Sequence, residues 1–493
     1  MTLVKLLCIG CWVASAAIAD DFDAALPQSE FNDSLMATPE ELQDLRQWAA
    51  AAFAGTAPVN PEAVTLNVLR QDHSVLGFGQ SCIDTPIRIG TKTYEHGLGT
   101  HAHSMIGVVA PAGAQRFQAA VGIDNNDDTL GTRGSADFIV ESLGRQLFRS
   151  ATVHGGEEAV SVDVELNASM PSIKLIVDAT ADGVSHDQAD WADARFVMAD
   201  GSVRWLDEHQ SRLLFLNTEV PFSFNYGGAS SHDLLKDWSR EVSTETREDR
   251  TNYHVSWKDA KTGLTVSAEA AVYMGYPAVD WVLYFENQGT EDSSLLEDIR
   301  ALDVHLRTGY QRHPAVLHEL NGDACGESTF LPKTTSLYAG EKLHLAPTGG
   351  RPSSISAFPF FNFGYGNQGM IAAIGWTGQW AADLDRAETG PTRLRAGMEH
   401  TRLHLHPGER IRTPRIVLLP WEGDRVRAHN LFRRLVLFKY APRINGQVPR
   451  LPIALQTYDR YNSRPGWATE AGQLQAVGTA HQLGCDTYWL DAA

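Results

Sequence analysis

Two short runs hold the residues best suited to chemistry. One is Gly97-Leu98-Gly99-Thr100-His101-Ala102, and the other is His186-Asp187-Gln188-Ala189-Asp190-Trp191-Ala192-Asp193-Ala194-Arg195. Each sits between alternating apolar stretches that read as strands. Together they offer an aromatic face to cover the apolar side of a pyranose, and fixed polar groups for its hydroxyls. The same residues would also make two β-sandwich corners, with Trp191 in the core and the carboxylates capping turns. Spacing alone leaves both readings open.

Other residues carry a chemical reading beside a plainer one. Asp491 ends a strand-like run, where barrel enzymes place ligand-contacting side chains, or it caps a turn. Asp124, Asp127 and Asp128 could ligate calcium through oxygen, but the run lacks the Gly and Glu of an EF-hand loop and also fits a solvated turn. No other cofactor is expected. His101 with His103, and His404 with His406, each fall on one strand face, without the Cys or carboxylate spacing of a metal site. Trp376 and Trp380 form an aromatic shelf beside a ligand cleft, or sandwich core. Gly364 to Gly369 lacks the Lys-Ser/Thr of a phosphate loop and reads as a tight hairpin. There is no Gly-x-Ser-x-Gly elbow and no His-Glu-x-x-His motif, which argues against α/β-hydrolase and zincin chemistry.

Positioning these residues needs β-rich scaffolding, and the chain supplies it. Its 493 residues suffice for about three domains. The net charge of −19 argues against nucleic acid and anionic membrane as partners and favours a neutral ligand. Residues 1–19 read as a secretory signal: Lys5, an apolar run from Leu6 to Ala17, then Ala17-Ile18-Ala19 before Asp20. A secreted or periplasmic location follows. Past the signal, Cys82, Cys325 and Cys485 are too widely spaced for a disulfide framework. Asn32 and Asn167 open glycosylation sequons.

Residues 20–60 read as a lead-in, polar, acidic and loose over 20–37, with one short helix after it. Thr38, Pro39 and Glu41 form a capping box, Leu42, Leu45, Trp48 and Ala52 make one apolar face, and Gly55 stops it. From 61 to 200 strand patterns separated by turn residues predict a sandwich, with Val162 and Val164 alternating against Asp163 and Glu165. From 201 to 445 the texture stays β, in a stretch long enough for a large multi-sheet sandwich closed by a helix near Asp424 to Leu437. Residues 446–493 read as strand, helix, strand, the pattern of a parallel βαβ unit.

Several elements recur in order over 61–200: Pro86-Ile87-Arg88-Ile89-Gly90, Tyr94, Gly97 to Ala102, Phe117, Val121-Gly122-Ile123-Asp124, and His186 to Arg195. In this the segment resembles the NPCBM family of bacterial carbohydrate-binding modules. The resemblance implies a galactose-binding-domain-like β-sandwich that recognises carbohydrate, often galactose-containing glycans. It marks His101, Asp124, His186, Asp190 and Trp191 as motif residues, without dividing sugar contacts from fold contacts.

The remainder resembles the melibiase-type α-galactosidases, glycoside hydrolase family 36. Ala373 to Trp380, the strand before Pro420 and the helix up to Tyr440 look like the end of that family's β-supersandwich. Pro452 to Gln456 looks like the first strand of its (β/α)8 barrel, and Trp489-Leu490-Asp491 like its second-strand motif, in which an Asp contacts galactosyl hydroxyls. Here Ala492 and Ala493 stand where the family commonly has Asp and Gly. The family's nucleophile and acid/base lie on later strands of a barrel of about 250 residues. Only 44 residues follow residue 449, so no catalytic pair can be nominated and the chain as given is expected not to hydrolyse α-galactosides. The resulting expectation is a mainly β chain: the N-terminal part of an exported α-galactosidase-like enzyme carrying a carbohydrate-binding module. The alternatives are a non-catalytic secreted carbohydrate-binding protein and an α-N-acetylgalactosaminidase-like glycosidase.

Overall fold

A computed structural model describes residues 36–55, 64, 66–167, 170, 172–208, 220–308, 313–324, 326–388, 391–447, 449–458 and 469–491. The signal segment, Cys325, the Asn32 sequon and the predicted strand Leu213 to Leu216 lie outside these residues. Two compact units are resolved by contact, Met36–Phe432 and the segment from Arg433 onward.

Helix α1, Pro39–Ala49, starts as its sequence predicts. Thr38 accepts from the Glu41 amide, the Glu41 carboxylate accepts from the Thr38 amide, and Pro39 occupies the first turn. A π-helical turn, Ala50–Ala54, extends it to Gly55, whose φ of +70° suits a glycine. Leu45, Trp48, Ala49, Ala52 and Phe53 are buried in the core of the larger β domain, with Phe53 5.6 Å from Trp281 and 6.4 Å from Tyr253. Glu41 also pairs with Arg427, both side chains nearly buried.

The first sandwich has ten principal strands. These are β1 Leu66–Gln71, β2 Gly77–Phe78, β3 Gly97–His101, β4 Ser104–Val109, β5 Ala114–Ile123, β6 Ser135–Ser142, β7 Val153–His154, β8 Val160–Glu165, β9 Ser172–Ala179 and β10 Gln188–Met198. One sheet runs β1-β4-β9-β6-β7 and the other β8-β5-β10-β3-β2, with antiparallel pairing throughout. Val162 and Val164 face the core while Asp163 and Glu165 face out to Arg116, as alternation predicts. Leu98, Phe117, Val121, Phe138, Leu175, Trp191 and Phe196 fill the space between the sheets. The sandwich extends past residue 200: Val203–Trp205 pairs with β10, and Leu206 is fully buried in the same core.

The larger β domain centres on a ten-stranded antiparallel sheet. Its path is Ser239–Thr246, Arg250–Lys258, Leu264–Tyr273, Val279–Asn287, Arg415–Glu422, Gln368–Gly375, Phe360–Tyr365, Ala315–Leu320 and Pro332–Leu337, with Arg410–Arg412 added beside Val279–Asn287. A four-stranded sheet, Leu302–Leu306, Thr392–Met398, Trp380–Arg386 and Lys342–Leu345, shares one continuous core with it. Gly364 to Gly369 forms the predicted hairpin. The closing helix is Arg425–Leu435, continued by a π turn at Val436–Tyr440.

The two β domains touch directly. The Tyr365 hydroxyl donates to Asp84 Oδ2 at 2.7 Å, His313 Nδ1 lies 3.7 Å from the same oxygen, and the Arg307 guanidinium sits 5.1 Å over the Phe78 ring.

In the second unit, Ala454–Tyr458 and Thr487–Asp491 pair in parallel with helix Glu470–Gln482 between them, the predicted βαβ unit. Leu451, Leu474, Leu483 and Trp489 are exposed, whereas Ala476 and Ala480 are buried.

Candidate functional site

The two motif runs are neighbouring strands. Register places Gln188 opposite His101, Trp191 opposite Leu98 and Ala192 opposite Gly97. On the other side of β10, Asp190 faces Gly122 and Ala189 faces Ile123 of β5. His101, Gln188 and the loop after β5 therefore meet at one end of the sheet. Glycine is required nearby: a Cβ on Gly134, at φ +90°, would stand 2.1 Å from the His186 carbonyl oxygen.

Three motif residues hold the fold. Trp191 is fully buried, edge-on to Phe138 at 5.5 Å and 6.4 Å from Phe117. Asp190 is fully buried too, near the Asp124 carboxyl, and its own carboxyl oxygens have no hydrogen-bond partner among the described residues. Burial pushes both groups up, and Asp190 goes furthest because the Asp124 charge adds to it, so Asp190 is the protonated partner. Asp124 also accepts from the Arg88 amide at 3.1 Å and from the Asn126 side chain. The outer face of β10 and β5 is covered here by Ile87, Ile89 and Tyr94.

The exposed rim is built from His73, His101, Asp128 and His186. His101 Nδ1 lies 2.8 Å from the Ala102 carbonyl oxygen, and its ring meets His73 edge-on at 5.1 Å. Burial holds His101 below the ordinary histidine range, so it is neutral at pH 7. His186 adopts φ +65°, is about a third exposed, and brings Nδ1 3.5 Å from Asp128 Oδ2. A chain of amides sets that carboxylate. Asn126 Nδ2 donates to Asp124 and, at 2.5 Å, to Gln188 Oε1; Gln188 Nε2 then donates to Asp128 Oδ2 at 2.7 Å. Asn126 Oδ1 accepts from the Asp128 and Thr129 amides, which locks the loop. Asp187 accepts from the Ser135 amide at 2.8 Å through Oδ1, while Oδ2 is buried with no hydrogen-bond partner among the described residues. Burial pushes Asp187 up to about 6.

Sequence reasoning named His101 and His186 but missed His73, Asn126, Asp187 and Gln188 as parts of one cluster. The signal was present, since Gln188 and Asp187 lie inside the second run and Asn126 inside the acidic turn.

The remaining candidates sit elsewhere or do other work. Trp380 is fully buried with Nε1 donating to the Pro352 carbonyl at 2.6 Å, and Trp376 is half-buried against the same core, so the ligand shelf gives way to core packing. Asp124, Asp127 and Asp128 do not converge as calcium ligands: Asp124 is buried against Asp190, Asp127 is exposed, and Asp128 turns to Gln188 and His186. Among the described residues no three His, Cys, Asp or Glu side chains are grouped to hold a metal ion. His103 reaches Asp178, His404 the Ser293 carbonyl and His406 Asp292, each a separate anchor. Asp491 ends the strand of the βαβ unit, opposite Tyr458 in register. No described helix is long and apolar enough to cross a membrane.

Comparison with known proteins bears on the same sandwich. Residues 56–197 match the NPCBM/NEW2 domain family. A curated relative, alpha-1,3-galactosidase B of Akkermansia muciniphila, is 34% identical over 147 residues, 29% of this chain and 18% of that enzyme. The chain thus spans less than a fifth of that relative's length in the match. Among solved structures, CBM51 from Clostridium perfringens GH95, in complex with methyl-galactose, is 24% identical with a TM-score of 0.24, covering 27% of this chain and 99% of that one. The GH36 alpha-galactosidase AgaB of Geobacillus stearothermophilus is 17% identical with a TM-score of 0.43, covering 55% of this chain and 39% of the other.

Proposed function

We propose that the protein binds galactose-related glycans at the rim formed by His73, His101, Asp128 and His186. The observation that carries this reading is the coincidence of the domain match with a braced, partly exposed polar cluster at one sheet end of that domain. Buried braces beneath exposed polar groups are what a preformed sugar site needs, because orientation is set before the ligand arrives. The larger β domain and the parallel βαβ unit that follows support reading the rest as the N-terminal part of an exported α-galactosidase-like glycosidase, with the module holding the glycan near the enzyme.

The test is a glycan array probed with the intact chain, followed by calorimetric titration with methyl β-galactoside. Galactose-terminated glycans should bind, and His186→Asn should weaken binding at least tenfold with an unchanged melting temperature. Asparagine tolerates the left-handed backbone of His186, so the fold is kept. Absence of binding to any galactose-terminated glycan would overturn the reading.

A further inference from the structure

We infer that the rim reads a sugar as a donor of hydroxyl protons, and therefore takes neutral glycans and excludes sulfated or carboxylated ones. This rests on the proposed glycan binding and adds a selection rule to it.

The rule follows from where protons must sit. His101 Nδ1 faces a backbone carbonyl, which can only accept, so the proton of the neutral ring is on Nδ1. Its Nε2 is left as a lone pair with no hydrogen bond. His186 holds Nδ1, buried and without a hydrogen-bond partner among the described residues, 3.5 Å from the Asp128 carboxylate. The amide donors close by are turned inward: both protons of Asn126 Nδ2 are committed, to Asp124 and Gln188, and Gln188 Nε2 gives one to Asp128. Asp187 adds a second carboxylate, with Oδ2 unpartnered and buried.

Charge acts in the same direction. The charged and titratable groups acting most strongly on His101 are His73, Asp128 and His186, and those on Asp187 are Asp182, His103 and His186. None is lysine or arginine. A sugar hydroxyl brings the proton that these lone pairs lack. A sulfate or carboxylate brings more lone pairs and a negative charge beside Asp128 and Asp187.

Acid should undo the selection. As pH falls to 5, Asp187, held near 6, becomes neutral, and a negative charge beside the rim is lost. The experiment titrates the full chain with methyl β-galactoside and with its 6-sulfate, at pH 7.5 and pH 5. The neutral sugar should bind at pH 7.5 and weaken several-fold at pH 5. The sulfated sugar should bind at least tenfold more weakly at pH 7.5, with that gap narrowing at pH 5. Equal affinity for both sugars at pH 7.5 would overturn this inference and leave the glycan-binding reading standing. Binding of neither at either pH would remove both. The wild-type comparison needs no variant, so a folding defect cannot obscure it.

Discussion

Side chains divide into those proposed to meet ligand and those that hold the sheet, and the division predicts opposite mutant behaviour. Trp191→Ala empties a fully buried site and should cost about 3–5 kcal/mol of module stability, seen as early melting. It is therefore a test of packing rather than of sugar contact. Asp190→Asn removes the buried acid beside Asp124, and should fold with stability at least equal to the wild type in chemical denaturation at pH 7.5. Asp187 gives the pH dependence. Its folded-state pKa is raised, so its contribution to stability is complete below about pH 4 and is lost as pH rises through about 6. Melting curves from pH 4 to 7.5 should show that decline, and Asp187→Asn should flatten it.

The motif residues were visible in the sequence, but their roles were not. Alternation along a strand assigns one face to the core and the other to solvent. From Gln188 to Ala192 every residue is buried, because the loop carrying Ile87 and Ile89 covers the outer face. No local pattern reports that second layer, so Asp190 and Trp191 could be read as either kind of residue.

At the level of elements, capping chemistry was the most readable signal. The Thr38–Glu41 box and Gly55 marked helix α1 correctly, and the hairpin at Gly364 to Gly369 and the terminal βαβ unit followed from turn residues and apolar runs. What the helix packs against was not readable, because its partners Tyr253 and Trp281 lie some two hundred residues away in sequence. Removing Trp48 by substitution with Ala should therefore destabilise the larger β domain by about 3–5 kcal/mol, measurable by urea unfolding followed through its tryptophans. The βαβ unit should behave in the opposite way. With Leu451, Leu474, Leu483 and Trp489 exposed, its amides should exchange with deuterium faster than those of β5, β9 and β10. Equal protection would contradict that expectation.

Across the molecule, composition and strand texture made the mainly β class evident, and the ordered motifs located the module. The junction between the β domains was not evident, since it depends on contacts between residues far apart in sequence: Tyr365 and His313 with Asp84, and Arg307 over Phe78. Tyr365→Phe removes one charge-assisted hydrogen bond, worth about 1.5–3 kcal/mol, and should loosen the loop around Asp84 in hydrogen exchange while both cores stay intact.

That junction changes how the protein meets a glycan. A lectin on a string can swivel, so its grip constrains distance alone. Here a hydrogen bond from Tyr365 to Asp84 ties the first sandwich to the larger β domain. If the rim holds a sugar end as proposed, that contact ties the bearing of the larger domain to the glycan, and the branches within reach are those that lie along one heading.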